Sequence, residues 1–317
     1  MKRIHVFFIA VLFTAASYAA TPVQRWGQLQ VAGTQLCDHN GNPVSLRGVS
    51  LGWHNFWPRF YNKPIVGWLS SDWKATVVRA AMGTIFDNNY VDNPDQAIRC
   101  VENIVDGAVA NGVYVIIDWH SHKIQTAEAV RFFSMMARKY GDKPNVIYEI
   151  FNEPVEDSWE TLKTYAGEVI KAIRQHDPDN IILVGCPHWD QDIDKVAASP
   201  LKGFSNIMYT VHFYAATHKQ ELRDRMENAV KAGVPVFVSE CAGMEASGDG
   251  PIDAGEFQRW VDTLERLKLS WVLWSVSDKN ETCSMLLPTA KSEGHWPDEV
   301  IKPWGKMAKA ALKKYNR

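Results

Sequence analysis

Short, almost continuously apolar segments alternate along the chain with longer amphipathic ones. The short segments are rich in β-branched residues, as expected for parallel strands that are covered on both faces. They cover residues 45–48, 76–80, 114–118, 146–151, 181–184, 207–211, 236–239 and 270–274. The segments between them repeat apolar residues at helical spacing, at 95–110, 127–140, 159–176, 219–232 and 253–268. The pattern therefore predicts an alternation of buried strands and surface helices.

Turn signals separate the predicted helices from the strands that follow them. Asn111-Gly112 and Ala232-Gly233 are two such signals. Eight strands spaced by about 30 residues, with helices between them, are typical of a closed eight-stranded barrel. Residues 29–37 and the Asn40-Gly41 turn predict a β-hairpin before the first of these strands. We therefore expect an α/β protein, a single (β/α)8 TIM barrel with an N-terminal β-hairpin closing the bottom.

The first residues have the features of a secretory signal peptide. Lys2 and Arg3 precede an apolar run at 6–16, and the small residues Ser17 and Ala19 follow it, which predicts cleavage after Ala19. The run is too short to cross roughly 30 Å of hydrocarbon, although an uncleaved anchor is an alternative. We expect residues 1–19 to be removed, residues 20–317 to form one domain, and the protein to be secreted or periplasmic.

Composition excludes several classes of partner. The formal net charge is −2, so the chain has no basic field for nucleic acid or an anionic membrane surface. Thirteen Trp residues suit a protein that binds sugar rings, because the C–H face of a sugar packs on an aromatic plane. The five cysteines are widely spaced and form no metal-ligand motif. We expect mostly buried thiols, with at most one or two disulfides.

Chemically capable side chains follow most of the predicted strands at the same end. They are Arg79, Asp118, His120, Asn152, Glu153, His212, Tyr214, Glu240 and Trp274. Polar residues that merely face solvent would be scattered over both ends of the strands. In an eight-stranded α/β barrel, the loops that follow the strands build the functional site. The pattern therefore predicts a site at the carboxyl ends of the strands.

Two of these residues are glutamates that follow the fourth and the seventh strand. Glu153 and Glu240 are three strands apart in a ring of eight, so their carboxyl groups can face each other across the barrel mouth. Glycoside hydrolysis uses such a pair: one carboxyl protonates the leaving oxygen, and the other attacks the anomeric carbon or activates water. Donors such as Arg79 and the Tyr214 hydroxyl can keep the attacking carboxylate ionised. The separation of the two carboxyls decides between retention and inversion.

Several segments, in order, resemble those of glycoside hydrolase family 5, the cellulase family. They are residues 78–82, 115–120, 146–154, 211–215, 238–240 and 271–279. The likeness covers about residues 26–290 and is greatest to the bacterial endo-β-1,4-glucanase branch. It implies a retaining endo-β-1,4-glucanase that acts on cellulose or mixed-linkage β-glucan as a monomer, without cofactor or metal. The family also often has a cis peptide after the strand-eight Trp, here Trp274–Ser275.

The resemblance implies roles for individual residues. Glu153 would be the acid/base and Glu240 the nucleophile. Arg79 and Tyr214 would position Glu240, and His212 would orient the site. The residues that would contact sugar hydroxyls or rings are Asn152, His120, Trp274, Lys279 and Glu281.

Two loops depart from the family pattern. Residues 241–243, Cys-Ala-Gly, follow the nucleophile where the family branch usually has Trp-Gly. The first loop, residues 51–58, is aromatic but differently spaced. Further candidates for contact with sugar are His54, Trp53, Trp57, Trp189 and Trp296, and each of the four tryptophans is equally compatible with a place in the core. The loop after His120 is short, which predicts an open cleft suited to internal cleavage.

Three other interpretations are compatible with parts of the sequence. A metal-dependent barrel hydrolase could use His120, His122, His188, His212 and Asp278 as ligands. Against it, His122 already falls in a loop, where a solvated side chain is expected, and metal amidohydrolases carry such a motif on the first strand. A non-catalytic sugar-binding barrel would need the aromatic residues but not both glutamates. A mannanase, xyloglucanase or xylanase would share the β-1,4 backbone of its substrate.

Overall fold

The computed structural model describes residues 20–316, so the predicted signal peptide lies outside the described residues. The strands are β1 (Gln30–Ala32), β2 (Gln35–Cys37), β3 (Arg47–Leu51), β4 (Val77–Gly83), β5 (Tyr114–His120), β6 (Val146–Glu149), β7 (Ile181–Val184), β8 (Ile207–Tyr214), β9 (Val236–Ala242) and β10 (Trp271–Val276). β1 and β2 form an antiparallel hairpin, and β3 to β10 close into a parallel barrel in which β10 pairs with β3. The predicted (β/α)8 TIM barrel is confirmed.

Helices lie on the outside of the barrel, most of them between successive strands. They are α1 (Pro22–Trp26), α2 (Lys63–Ser71), α3 (Pro94–Asn111), α4 (Thr126–Tyr140), α5 (Trp159–Arg174), α6 (Pro187–Asp190), α7 (Ile193–Ala198), α8 (Gln220–Lys231), α9 (Ala254–Leu267) and α10 (Pro303–Tyr315). Of these, α1 precedes the hairpin, α10 follows β10, and α6 is a single turn. Asn93 and Ser158 cap α3 and α5 by accepting backbone N–H bonds. Gly112 ends α3 at φ 61°, a left-handed conformation that glycine adopts readily. Within residues 20–316, no helix has the length and apolar character needed to cross a membrane.

The N-terminal hairpin covers the bottom of the barrel, as predicted. Leu29 and Leu36 are 1% and 2% exposed, and they pack against Ile116, Met208 and Phe237, which lie on three barrel strands. Burying a leucine fully stabilises a fold by roughly 1.5–3 kcal/mol. The hairpin therefore closes the end of the barrel opposite the predicted site.

The turn of this hairpin differs from the prediction. The chain reverses at Gly33-Thr34, because Ala32 pairs with Gln35 in the ladder. Gly33 has φ 61°, which suits a tight turn. The Asn40-Gly41 turn lies beyond the hairpin, where Gly41 donates its backbone N–H to the Asp38 carbonyl.

The carboxyl ends of the strands also differ from the prediction. β8 and β9 extend to Tyr214 and Ala242, so the functional residues of these strands lie inside the ladder. β6 is shorter and ends at Glu149, so Asn152 and Glu153 lie in the following loop. Their backbone N–H groups donate to the carbonyls of Trp119 and Ser121, at 3.0 Å and 3.2 Å. These two bonds hold the loop against the end of β5.

Two further expectations can be compared with the structure. The Trp274–Ser275 peptide is cis, as the resemblance implies. The five cysteines, all within the described residues, are buried free thiols, so none of the possible disulfides is present. The Cys241 thiol donates to the Val272 carbonyl at 3.3 Å and packs behind Glu240.

Candidate active site

A cavity of about 520 Å³ lies at the carboxyl ends of the barrel strands, where the sequence predicts the site. Its lining includes these predicted residues: Trp53, Trp57, His120, Glu153, Tyr214, Glu240, Trp274, Lys279 and Glu281. The strand ends therefore bring together side chains that are up to 228 positions apart in the chain, from Trp53 to Glu281. Phe56, Phe86 and His122 line the same cavity and were not predicted to contact sugar.

The two glutamates face each other in this cavity. A carboxylate oxygen of Glu153 and one of Glu240 lie within 4.8 Å of each other. Carboxyl groups about 5–5.5 Å apart are typical of retaining glycosidases, whereas inverting enzymes separate them by about 6.5–9.5 Å. The arrangement therefore has the spacing for direct attack by one carboxylate, without room for a water between them.

Glu240 is held by two donors. Arg79 Nη1 lies 3.0 Å from Oε2, and the Tyr214 hydroxyl donates to Oε1 at 2.7 Å. Arg79 is completely buried, and ion pairs with Glu149 at 2.6 Å and Asp118 at 3.0 Å fix its guanidinium plane. Charge-assisted bonds of this kind orient a carboxylate and favour its ionised form. The structure thus places Arg79 and Tyr214 where the resemblance implies that they position the nucleophile.

Glu153 is held by two imidazoles. His212 Nδ1 lies 3.0 Å from Oε1, and His122 Nε2 lies 3.4 Å from Oε2. Burial raises the pKa of Glu153, but hydrogen bonds from His122 and His212 outweigh it and leave that pKa below its usual range. Burial and the neighbouring Glu153 charge raise the pKa of Glu240. The two imidazoles therefore have a strong influence on the protonation of Glu153.

The hydrogen-bond partners of His212 show which of its ring nitrogens carries a hydrogen. Ser239 Oγ has one proton and donates it to Glu149 Oε1 at 2.6 Å. The 2.9 Å bond between Ser239 Oγ and His212 Nε2 therefore needs the hydrogen on Nε2. One further proton then lies between His212 Nδ1 and Glu153 Oε1, on either atom. The protonation of Glu153 is consequently a property of the His212–Glu153 pair.

Aromatic and polar side chains line one side of the glutamate pair. The ring of Trp274 is parallel to that of His120, with centroids 5.2 Å apart and 3° between the planes. Trp53 packs edge-on against His120 at 4.2 Å. On the same cavity wall, Lys279 and Glu281 form an ion pair of 2.5 Å. The predicted sugar contacts on this side therefore form a mixed aromatic and charged surface.

The cleft continues on the other side of Glu153. A second cavity of about 460 Å³ is lined by His122, Glu153, Trp189 and His218, among others. Trp189 is 39% exposed, so its ring is accessible. Glu153 and Tyr214 line both cavities. A long ligand bound beside the two glutamates can therefore extend away from them in both directions.

Asn152 lies at the base of the site. Its Oδ1 accepts a hydrogen bond from Arg79 Nη2 at 2.5 Å, which fixes the amide orientation. The Nδ2 atom is buried and has no partner. A buried N–H without a partner costs about 1–3 kcal/mol, so a ligand hydroxyl there would be favourable. This geometry is compatible with the predicted sugar contact.

Two aromatic predictions are not supported. His54 is fully buried beneath the cleft, and its Nδ1 accepts a bond from the Gly83 N–H at 2.9 Å. Burial lowers the pKa of His54 to about 4, so the ring is a neutral acceptor with a structural role. Trp296 is 3% exposed and packs against Phe60 and Trp73 in the core. The first loop thus contributes Trp53 and Trp57, together with the unpredicted Phe56, to the cleft.

The ligand set of the metal-dependent interpretation does not converge. Within residues 20–316, the one group of three potential ligand side chains with atoms within 4.8 Å of each other is Glu153, His212 and Glu240. Asp278 instead pairs with Arg59 at 2.6 Å, and His188 lies 3.5 Å from Asp192. The expectation of a solvated His122 is also wrong, because its ring contacts Glu153 and is only 32% exposed.

Sequence and structure comparisons give a consistent picture. The family model for "Cellulase (glycosyl hydrolase family 5)" matches residues 37–280. Endoglucanase Z of Dickeya dadantii is 39% identical over 313 residues, with 94% of this chain and 72% of that protein covered. A solved structure from Cytophaga hutchinsonii has a TM-score of 0.92 at 44% identity, covering 94% of this chain and 98% of that chain.

The structure of a third similar protein has been solved with a bound sugar ligand. A variant of the catalytic domain of a Thermobifida fusca endoglucanase, in complex with cellotetraose, has a TM-score of 0.88 at 36% identity. The match covers 93% of this chain and 100% of that chain. The chain spans 61% to 72% of the length of four curated endoglucanases that it matches.

Proposed function

The chain belongs to glycosyl hydrolase family 5, the cellulase family, and we propose that it is a retaining endoglucanase that hydrolyses internal β-1,4-glucosidic bonds of cellulose or mixed-linkage β-glucan. The observation that carries this proposal is that a carboxylate oxygen of Glu153 and one of Glu240 lie within 4.8 Å of each other. The names of the curated relatives support glucan as the substrate class.

The reaction follows from the positions of the two carboxyls. Glu240 attacks the anomeric carbon while Glu153 donates its proton to the glycosidic oxygen, so that the C–O bond breaks and a glycosyl ester forms on Glu240. Glu153, now ionised, takes a proton from water as the water attacks the same carbon, and Glu240 leaves. Two inversions at one carbon give net retention.

The neighbouring side chains support both steps. Arg79 and Tyr214 point their hydrogens at the Glu240 carboxylate, which keeps it ionised and aimed before attack. Trp274 presents an aromatic face beside the reacting centre, on which a sugar ring can pack. Holding the reacting groups in this geometry avoids the entropic cost of bringing them together in solution.

Internal cleavage is favoured by the shape of the cleft. The two cavities adjoin at Glu153 and Tyr214, and each has an accessible aromatic lining. A polymer can therefore lie across the glutamate pair with rings bound on both sides. A mannanase, xyloglucanase or xylanase would use the same carboxylates, and the substrate panel below separates these activities.

Export as a monomer is the second part of this proposal. The support for export is the sequence of residues 1–19, with a basic start, an apolar run and small residues before Ala20. Amino-terminal sequencing of the protein recovered outside the cytoplasm is expected to begin at Ala20, and its elution volume to match one chain. Recovery of full-length chains in the cell pellet, or elution as a dimer, would contradict it.

The experiment that tests the function is product analysis with soluble cellulose, β-glucan, mannan and xylan. We expect the wild type to release β-anomeric oligosaccharides from the two glucans, with a rapid fall in viscosity. Glu240→Gln should abolish this release while the protein still binds glucan. Glu160→Gln, at an exposed position on α5, is the matched control and should leave the rate unchanged. A Glu240→Gln variant that retained about a tenth of the rate would exclude Glu240 as the nucleophile.

A further inference from the structure

Asp190 is a buried carboxyl that the two catalytic steps do not use. It is fully buried, at the end of a turn in which His188, Trp189 and Asp190 all have left-handed φ, at 59°, 53° and 58°. Consecutive left-handed residues other than glycine are costly, at about 1 kcal/mol or more each, and persist where the surrounding structure holds them. The turn therefore directs the Asp190 side chain to a defined place.

That place is the far side of the His212 ring. Asp190 Oδ1 accepts the Cys186 backbone N–H at 2.6 Å, whereas Oδ2 is buried, makes no hydrogen bond and lies 3.4 Å from His212 Nε2. His212 Nδ1 contacts Glu153 Oε1 at 3.0 Å. The imidazole thus stands between the buried Asp190 carboxyl and the acid/base.

The hydrogen positions favour an ionised Asp190. His212 Nε2 carries a hydrogen, because Ser239 Oγ can only accept from it. A protonated Asp190 would turn an O–H toward that N–H and leave its own donor without an acceptor. An ionised Asp190 has no such donor, and its Oδ2 lies 3.4 Å from His212 Nε2, where positive charge on the ring balances it. Among the described residues, His212 is the cationic side chain paired with Asp190 within 4.0 Å.

We propose that Asp190 is a positioning residue for the acid/base: its buried carboxylate balances an imidazolium at His212, whose Nδ1–H binds Oε1 of Glu153 and leaves Oε2 to carry the catalytic proton. This inference rests on the proposed function, in which Glu153 is the proton donor. His122, which lines the cleft, lies 3.4 Å from Oε2, so this oxygen is the one on the cleft side.

Other charges around this group set the background for its titration. The titratable and charged groups that face His212 or Asp190 are Asp118, His120, Glu149, Glu153, Cys186, His218 and Glu240. Glu149 is already paired with Arg79 at 2.6 Å. Burial and the Glu153 and Glu149 charges raise the pKa of Asp190, and the neighbouring His212 opposes this rise.

The sign of the expected effect follows from removing one negative charge. In its active form the His212–Glu153 pair holds two protons besides the Nε2 hydrogen, one on Nδ1 and one on Glu153 Oε2, and a nearby anion increases its affinity for both. Without the Asp190 charge, the pair loses a proton at lower pH. The basic limb of the kcat/KM profile should then move to lower pH.

The test is Asp190→Asn, which removes the charge but keeps an oxygen for the Cys186 N–H and a residue type that tolerates left-handed φ. We expect the basic limb on 4-methoxyphenyl β-cellobioside to move down by about one pH unit. With 2,4-dinitrophenyl β-cellobioside, whose leaving group needs no proton, kcat/KM should stay within about twofold of the wild type. A profile that superposes on that of the wild type, or an equal loss on both substrates, would overturn the proposal.

Matched variants distinguish the loss of this positioning role from a folding defect. Asp192→Asn lies two positions further along and pairs with Lys195 and Arg225 away from His212, so it should leave the profile unchanged. Asp190→Gly accepts the left-handed backbone without strain and should show the same pH shift if the asparagine variant folds poorly. Activity of the wild type on the dinitrophenyl substrate tests the proposed function separately, because its absence would refute that function whatever Asp190 does.

Discussion

The Tyr214 hydroxyl lies 2.7 Å from Oε1 of Glu240 and donates its proton to that oxygen. Tyr214 ends β8 and Glu240 lies on β9, and the two strands are in register here, since Tyr214 pairs with Ala242 and His212 with Glu240. The hydrogen bond is therefore a consequence of strand pairing, which fixes the distance between donor and nucleophile. The contribution of this hydrogen bond to catalysis can be measured by removing the Tyr214 hydroxyl.

Tyr214→Phe should lower kcat/KM on cellotetraose by about 10- to 150-fold, the range for losing a hydrogen bond to a charged group, of about 1.5–3 kcal/mol. The aromatic ring stays in place, so folding should be little affected. Steady-state kinetics measure the effect. Tyr209→Phe, whose hydroxyl accepts from the Leu201 N–H outside the cleft, is the control and should retain the wild-type rate. Equal rates for wild type and Tyr214→Phe would show that Tyr214 does not support Glu240.

The fold could be predicted from the sequence because periodicity and burial are local properties of parallel strands. The barrel strands are rich in apolar residues and almost entirely buried, with helices outside the barrel and side chains inside it. The hairpin turn could not be placed, because both Gly33-Thr34 and Asn40-Gly41 have suitable turn residues. The choice depends on which register buries Leu29 and Leu36 under the barrel.

The two facing glutamates could be located because a polar residue close to the end of an apolar strand is a strong local signal. Asp190 gives no such signal, since it lies in a turn six positions after β7, and only its left-handed backbone brings it to His212. His54 was misplaced because alternation in a loop does not show which aromatic side chain faces the cleft. Its hydrogen bond from the Gly83 N–H depends on how the first loop packs against β4 in the folded protein.

Leu36→Ala tests the closure of the barrel bottom. The residue is 2% exposed, and a leucine-to-alanine change in a core costs about 2–5 kcal/mol. We expect the free energy of unfolding, measured in urea, to fall by this amount, while kcat/KM of the folded enzyme is unchanged because the site lies at the opposite end. Val91→Ala, at a half-exposed position, should change the stability by less than about 0.5 kcal/mol. A loss of activity without a loss of stability would contradict this arrangement.

Phe86→Ala tests the aromatic end of the cleft. Phe86 is 58% exposed, and its ring lies 5.4 Å from Trp53 and 6.0 Å from Phe56. Without the Phe86 ring, the interaction with a stacked sugar should weaken by about 0.5–1.5 kcal/mol. The kcat/KM of the variant on cellohexaose should therefore fall by about 2- to 12-fold. Cellotriose, which is too short to span the cleft, should be cleaved at the wild-type rate. Leu287→Ala, another exposed apolar position, is the control. An equal loss on both substrates would point to a general defect.

His122→Gln tests the second imidazole on the acid/base. His122 Nε2 lies 3.4 Å from Glu153 Oε2, and this contact is one of the causes that lower the pKa of Glu153. A glutamine cannot carry a charge, so the pKa of Glu153 should rise and the acid should keep its proton to higher pH. The basic limb of the kcat/KM profile should therefore move to higher pH, opposite in sign to Asp190→Asn. His176→Gln, on the exposed surface beside Arg138, should not move it. A downward shift in His122→Gln would show that His122 supports the protonated form of Glu153 instead.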